Sequence, residues 1–217
     1  MPNLKEASFD RVHDAQQIYR VLLHAMSRPG LVGELGEAVH GINIPEGTSI
    51  PAAALALTLL DGEVTFAMCM HDQEGWSETI RRLTYAKLVD SAIADFVFAD
   101  GLEDSVEIHK RVINMKAGTL SSPEISATLL IQVGDFLTEP NFKQEGCSLK
   151  LIGPGINGHT MCYVDGLSLA WIESRSLVNV EYPMGLDMIL YTKQGKVICF
   201  PRTTVVKGVV GIWPMLP

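Results

Sequence analysis

Two arginines stand at corners that the chain itself makes rigid. Arg28 lies in Met26-Ser27-Arg28-Pro29-Gly30, where Pro29 bars its predecessor from the helical region and Gly30 supplies a turn. Arg202 follows Pro201, just past the apolar run Val197 to Phe200. A guanidinium held in this way can grip an anionic ligand through paired, charge-assisted donors. For Arg202 there is a competitor. If the hairpin Met188–Tyr191 / Val197–Phe200 turns near Gln194, Asp187 and Arg202 fall on neighbouring rungs. Arg202 then either pins the open end of the hairpin against Asp187 or presents its guanidinium to a ligand.

Gly153-Pro154-Gly155-Ile156-Asn157-Gly158 matches G-x-G-x-x-G and follows a predicted strand. Dinucleotide binding requires a helix to begin inside that motif, so that its N-terminus meets the pyrophosphate. The residues that follow, His159 to Val164, read instead as a strand, which makes a tight turn between strands the expectation. There is no Walker lysine motif, His-Glu-x-x-His, Gly-x-Ser-x-Gly or Ser-x-x-Lys. Glu103-Asp104 opens a helix, where negative charge complements the dipole. His13 and His24 lack ligand-type neighbours three or four residues away and read as ordinary helix residues. From its residues alone the chain has no self-sufficient active site.

Composition narrows the field further. The chain has 217 residues, 47% of them hydrophobic and only 19% charged, which excludes disorder and suits one sizeable core. A net charge of -8 argues against nucleic acid, whose phosphates need a concentrated basic face. Cys69, Cys147, Cys162 and Cys199 are widely spaced without Cys-x-x-Cys, so no metal site and no disulfide framework is expected. Reduced thiols, the lack of a signal-type N-terminus and the lack of a membrane-length apolar run point to a soluble cytoplasmic protein.

The elements that must position these residues follow from periodicity. Asp10 or Asp14 caps a helix running to about Ser27, with an apolar stripe of Val12, Ala15, Ile18, Tyr19, Leu22, Leu23 and Met26. Leu31 to Leu35 is a weak strand. Pro51 opens a buried helix over Ala52 to Leu60. Strands are expected at Val64–Met70, Ala94–Ala99, Ala127–Val133 and Cys147–Ile152, and helices at Trp76–Thr84, Glu103–Asn114 and Leu167–Leu177. An insertion-like hairpin runs through Val164. The non-alternating strands Met188–Tyr191 and Val197–Phe200 belong inside a sheet covered on both faces, with Pro183 and Pro201 bracketing the hairpin's open end. The apolar tail 205–217 docks on its own domain or joins a partner interface. No linker or repeat divides residues 1–217, which read as one domain.

Taken in order, a series of segments resembles the PhnH family of carbon–phosphorus lyase subunits, from about Phe9 to Thr204. They are Val12-His13-Asp14-Ala15-Gln16-Gln17, Met26-Ser27-Arg28-Pro29-Gly30, Leu57-Thr58-Leu59-Leu60-Asp61, Gly118-Thr119 and Pro123-Glu124. Ala127-Thr128-Leu129-Leu130-Ile131-Gln132-Val133, Leu151-Ile152-Gly153-Pro154-Gly155-Ile156, Tyr182-Pro183-Met184-Gly185-Leu186-Asp187 and Pro201-Arg202-Thr203-Thr204 complete it. The resemblance implies an α/β fold, a three-layer α/β/α sandwich with a mixed sheet. It is the architecture of the large domain of pyridoxal-phosphate-dependent transferases without their cofactor-bearing lysine, so no cofactor is expected.

The resemblance also implies a role. Such a subunit dimerises in isolation and joins other phosphonate-pathway subunits in a core complex. The complex couples an alkylphosphonate to the ribose C1 of ATP with release of adenine, and a different, radical-generating subunit breaks the carbon–phosphorus bond. Within that frame two roles stay open. The chain is an assembly subunit whose apolar patches contact partners, or it lends anion-binding groups, Arg28 and Arg202, to a shared nucleotide or phosphonate site. A self-standing pyridoxal-phosphate enzyme is a third, and would be yellow. Pro29, Gly30, Gly153, Gly155, Pro183, Gly185, Asp187 and Pro201 form the structural motif in each case.

Overall fold

The computed structural model describes residues 9–36, 42, 44, 49–70 and 73–209. The first helix, α1 (His13–Ser27), starts where the Asp10 carboxylate accepts from the Val12 and His13 amides at 2.8 and 3.0 Å. The Asp10 amide in turn donates to Asp14 at 2.8 Å, a reciprocal cap. Only part of the expected apolar stripe is buried: Ile18 and Leu22 face inward together with Ala25, which the stripe did not include, while Val12, Tyr19 and Leu23 are exposed.

A two-residue strand β1 (Gly33–Glu34) follows, then α2 (Ile50–Leu59), with Pro51 in its first turn and Pro51 to Ala56 all buried. Next come β2 (Thr65–Cys69), α3 (Gln73–Thr84), β3 (Lys87–Leu88) and β4 (Phe96–Asp100). The helix α4 (Ser105–Val112) is capped by Asp104, which accepts from the Val106 and Glu107 amides. The strands β5 (Thr128–Val133), β6 (Asp135–Leu137), β7 (Gly146–Ile152) and β8 (Thr160–Asp165) precede α5 (Leu169–Val178), and β9 (Asp187–Thr192), β10 (Lys196–Phe200) and β11 (Val205–Gly208) complete the chain.

Seven strands form the main sheet in the order β1-β10-β9-β5-β4-β2-β3. From β9 to β3 every pairing is parallel, and β10 and β1 add antiparallel at one side. The central strands are buried on both faces, which is why they read as continuous apolar runs. On one face Phe66, Phe98, Leu130, Ile189 and Cys199 pack with the buried sides of α1, α2 and α3. On the other, Val97, Leu129, Ile131, Met188 and Leu190 pack with α4 and α5.

That second layer also contains a four-stranded antiparallel sheet, β11-β7-β8-β6, contributing Leu149, Leu151, Val164 and Val206 to the same core. The fold is therefore α/β with a mixed main sheet between two covering layers, one purely helical and one of helices plus a small sheet. The hairpin turns where the sequence places it. Val197 pairs with Tyr191 and Phe200 with Met188, so the connection is centred on Gln194. The start of the tail docks as β11 on β7, Val205 opposite Ile152. Residues 210–217 lie outside the described residues. Among the described residues no helix is long and apolar enough to cross a membrane.

Candidate functional site: an arginine corner against a glycine loop

The end of α1 and the loop between β7 and β8, far apart in sequence, meet where Gly155 crosses Ser27. A Cβ on Gly155 would collide with the Ser27 carbonyl oxygen, and Gly155 has φ +82°, so only glycine fits this crossing. Gly30 (φ +91°) meets the same region, its missing Cβ lying 2.8 Å from Leu151 Cδ1 and 2.9 Å from Thr160 Cγ2. Gly153 sits under Thr203 and Thr204, 3.0 Å from the Thr203 carbonyl oxygen by the same measure. The glycine motif is thus a connection between antiparallel strands, and its glycines permit close backbone approach. No helix begins in it.

These contacts enclose a pocket of about 350 Å³, lined by Arg28, Pro29, Gly30, Leu31, Gly155, Ile156, Asn157, His159 and Thr160. Among the described residues no carboxylate lines it, in a chain of net charge -8. The Arg28 side chain is exposed and makes no hydrogen bond or ion pair with a described residue; its carbonyl accepts from Leu31 N at 3.1 Å. Asn157 and His159 are likewise exposed on the rim. The arrangement offers a guanidinium, an imidazole, an amide and a hydroxyl converging on one cleft, a donor set suited to an oxyanion.

Arg202 does not line this pocket. Its amide donates to Asp187 Oδ1 at 2.6 Å, its Nε to the same oxygen at 3.3 Å, and its Nη2 to Asp187 Oδ2. Its Nη1 donates to the Pro123 carbonyl. The guanidinium thereby ties the hairpin end to the short 3-10 turn Pro123–Ile125, with both charged side chains 18% exposed. The Asp187–Arg202 pair is present as the hairpin register requires.

A residue that sequence reasoning missed organises the same region. Arg175 of α5 is fully buried and donates to four carbonyls: Leu186 (3.0 Å), Thr204 (3.3 Å), Phe200 (3.2 Å) and Pro201 (2.7 Å). Burial pulls its pKa down to about 10, so it remains a cation at neutral pH. Asn179 joins it, accepting from Leu186 N at 2.8 Å and donating to the Leu186 and Arg202 carbonyls. Gly185 leaves room for that side chain, since its missing Cβ lies 2.7 Å from Asn179 Cγ, and its amide donates to Ala117. The Leu186, Phe200, Pro201 and Thr204 carbonyls thus form a cage around Arg175, with Pro201 itself one of the acceptors. The signal was its spacing: Arg175 stands three residues after Ile172 and four after Trp171, on the buried face.

The thiols are remote from solvent. All four cysteines are buried, and burial pushes Cys147 and Cys162 up to about 12 and Cys69 and Cys199 upward as well. Among the described residues no group of three His, Cys, Asp or Glu could hold a metal ion.

The fold and this pocket define a layered α/β scaffold with an arginine corner that no described carboxylate lines. Residues 7–207 match the family described as "Bacterial phosphonate metabolism protein (PhnH)", and the chain belongs to that family. It is 31% identical over 189 residues, 87% of its length and 84% of the relative's, to HtxG of Stutzerimonas stutzeri, provisionally named a C-P lyase subunit protein. It is 25% identical over 207 residues, 90% and 91% of the two chains, to the "Alpha-D-ribose 1-methylphosphonate 5-triphosphate synthase subunit PhnH" of Rhizobium meliloti (strain 1021).

Proposed function

We propose that this chain is a subunit of a carbon–phosphorus lyase assembly in phosphonate metabolism, in which it holds an oxyanionic group and contacts partners without performing chemistry alone. The observation that carries the reading is the Arg28 pocket: among the described residues the guanidinium has no ion-pair partner and the lining, which includes His159, has no carboxylate, in an acidic chain. Names of relatives as subunits support the assembly role. In this reading the assembly couples an alkylphosphonate to the ribose C1 of ATP with release of adenine. Arg28 takes a phosphonate or phosphate group of the substrate, whereas Arg202 serves the pocket indirectly, by fixing the strand ends behind Gly153. Exposed apolar side chains supply surface for partners and for a homodimer of the isolated chain. They include Val12 just before α1, Tyr19 and Leu23 on it, and Ile113, Leu177, Val180 and Tyr182 around the ends of α4 and α5. The resemblance to the large domain of pyridoxal-phosphate-dependent transferases belongs to the same proposal.

Isothermal titration with methylphosphonate and with ATP, on the wild-type chain and on Arg28→Ala, tests the pocket. We expect heat from the wild type that falls at least about tenfold in affinity on losing the guanidinium, with the thermal midpoint unchanged because the side chain is exposed. Equal binding by both proteins would contradict the assignment of Arg28.

A further inference from the structure

A second cationic corner shares no lining residue with the Arg28 pocket. It lies where α3 hands over to β3. The Tyr85 amide donates to the Arg81 carbonyl at 2.8 Å, closing the helix, and Tyr85 takes a left-handed backbone with φ 64°. It is the only non-glycine among the described residues to do so, at a position where glycine or asparagine is the relaxed choice. Its ring gains little from folding, since the residue is 75% exposed.

The chain then enters β3, the outermost strand of the main sheet. The Lys87 and Val89 amides donate inward to Val64 and Phe66 at 3.3 and 2.9 Å. Strand alternation leaves the amide and carbonyl of Leu88 turned to the open side. The Leu88 side chain is itself 46% exposed.

A cleft of about 670 Å³ runs along this edge, lined by Glu78, Arg81, Arg82, Tyr85, Lys87 and Leu88 among others. Arg81 is engaged by Glu78 at 3.1 Å. Arg82 and Lys87 make no ion pair or side-chain hydrogen bond with a described residue, so the corner carries two uncompensated cations in a chain of net charge -8. A lysine on an edge strand can serve simply to keep like edges apart. That role explains Lys87 but neither the second cation, Arg82, without an ion-pair partner among the described residues, nor an aromatic ring held out to water on a strained backbone.

We propose that this corner docks an extended, acidic segment of a partner protein. The segment adds a strand beyond β3, exchanging hydrogen bonds with the Leu88 amide and carbonyl. Its carboxylates meet Arg82 and Lys87, and an apolar side chain between them lies on Tyr85 and Leu88. The charge sets the sign of the partner, and the open edge sets its extended form.

The test uses the full chain and three synthetic peptides: one alternating glutamate with valine, its lysine–valine counterpart, and the acidic peptide N-methylated on alternate amides. Binding is read by fluorescence anisotropy, and the Leu88 amide by hydrogen exchange. We expect the acidic peptide to bind and slow exchange at Leu88, and the lysine peptide and the N-methylated peptide to fail. The double variant Arg82→Glu/Lys87→Glu, both sites exposed, should weaken binding at least about tenfold while its thermal midpoint stays near wild type. Arg28→Ala should bind the peptide normally, which separates this result from the fate of the oxyanion pocket. Undiminished binding by the double variant, or equal binding of the N-methylated peptide, overturns the proposal.

Discussion

Asp187 and Arg202 illustrate what a charged pair does at a strand end. Each satisfies the other, and Arg202 also satisfies the Pro123 carbonyl, so deleting one partner leaves polar groups only partly hydrated. Asp187→Asn and Arg202→Ala are each expected to lower unfolding stability by about 1–3 kcal/mol, and the double variant by less than their sum. Urea titrations read this directly; additive losses would deny the coupling. At this scale the sequence was informative where geometry is local. Proline and glycine neighbours marked Arg28, and hairpin register put Asp187 and Arg202 on neighbouring rungs. Asn157 and His159 gave no such sign, because their place beside Arg28 depends on the β7–β8 loop crossing the end of α1, a meeting of distant segments.

Among the elements, α5 does most to hold the site region together. Its buried arginine bonds to the carbonyls at both ends of the β9–β10 hairpin, so helix, hairpin and the entry to β11 behave as one unit. Arg175→Leu keeps the volume apolar but strands four carbonyls. We expect a loss of about 3 kcal/mol or more, with Arg175→Lys recovering only part, since an ammonium cannot reach four acceptors in a fixed fork. Thermal unfolding of the two variants measures it, and a near-neutral Arg175→Leu would refute the cage. The helices and central strands were legible from periodicity, proline placement and caps. Of the small antiparallel sheet the β7–β8 hairpin was legible, as the strand Cys147–Ile152, a glycine turn and the strand His159–Val164. β6 and β11 were not, because each pairs with a strand distant in sequence that no local pattern points to.

Over the whole molecule, two carboxylates tie separate elements together. Lys196, on β10, holds the Asp135 carboxyl below the usual range, assisted by the Phe136 amide, and so joins the main sheet to the small one. Partial burial works against ionisation of Asp95, but hydrogen bonds from Lys116 and Thr65 outweigh it and the net shift is downward. Because both folded values lie below the unfolded value of about 3.9, their contribution is full above that pH and is lost as pH falls through the folded values. Urea midpoints should therefore drop steeply below about pH 4, and less steeply in Asp95→Asn. An unchanged acid slope in that variant would remove Asp95 from the account.

The larger claim is that this scaffold works in company. Co-expression with the remaining carbon–phosphorus lyase subunits, followed by size-exclusion chromatography with mass determination, tests it most directly. The account predicts that the chain elutes in one particle with them at fixed stoichiometry. Elution of the chain alone, with the other subunits assembled without it, would contradict the account.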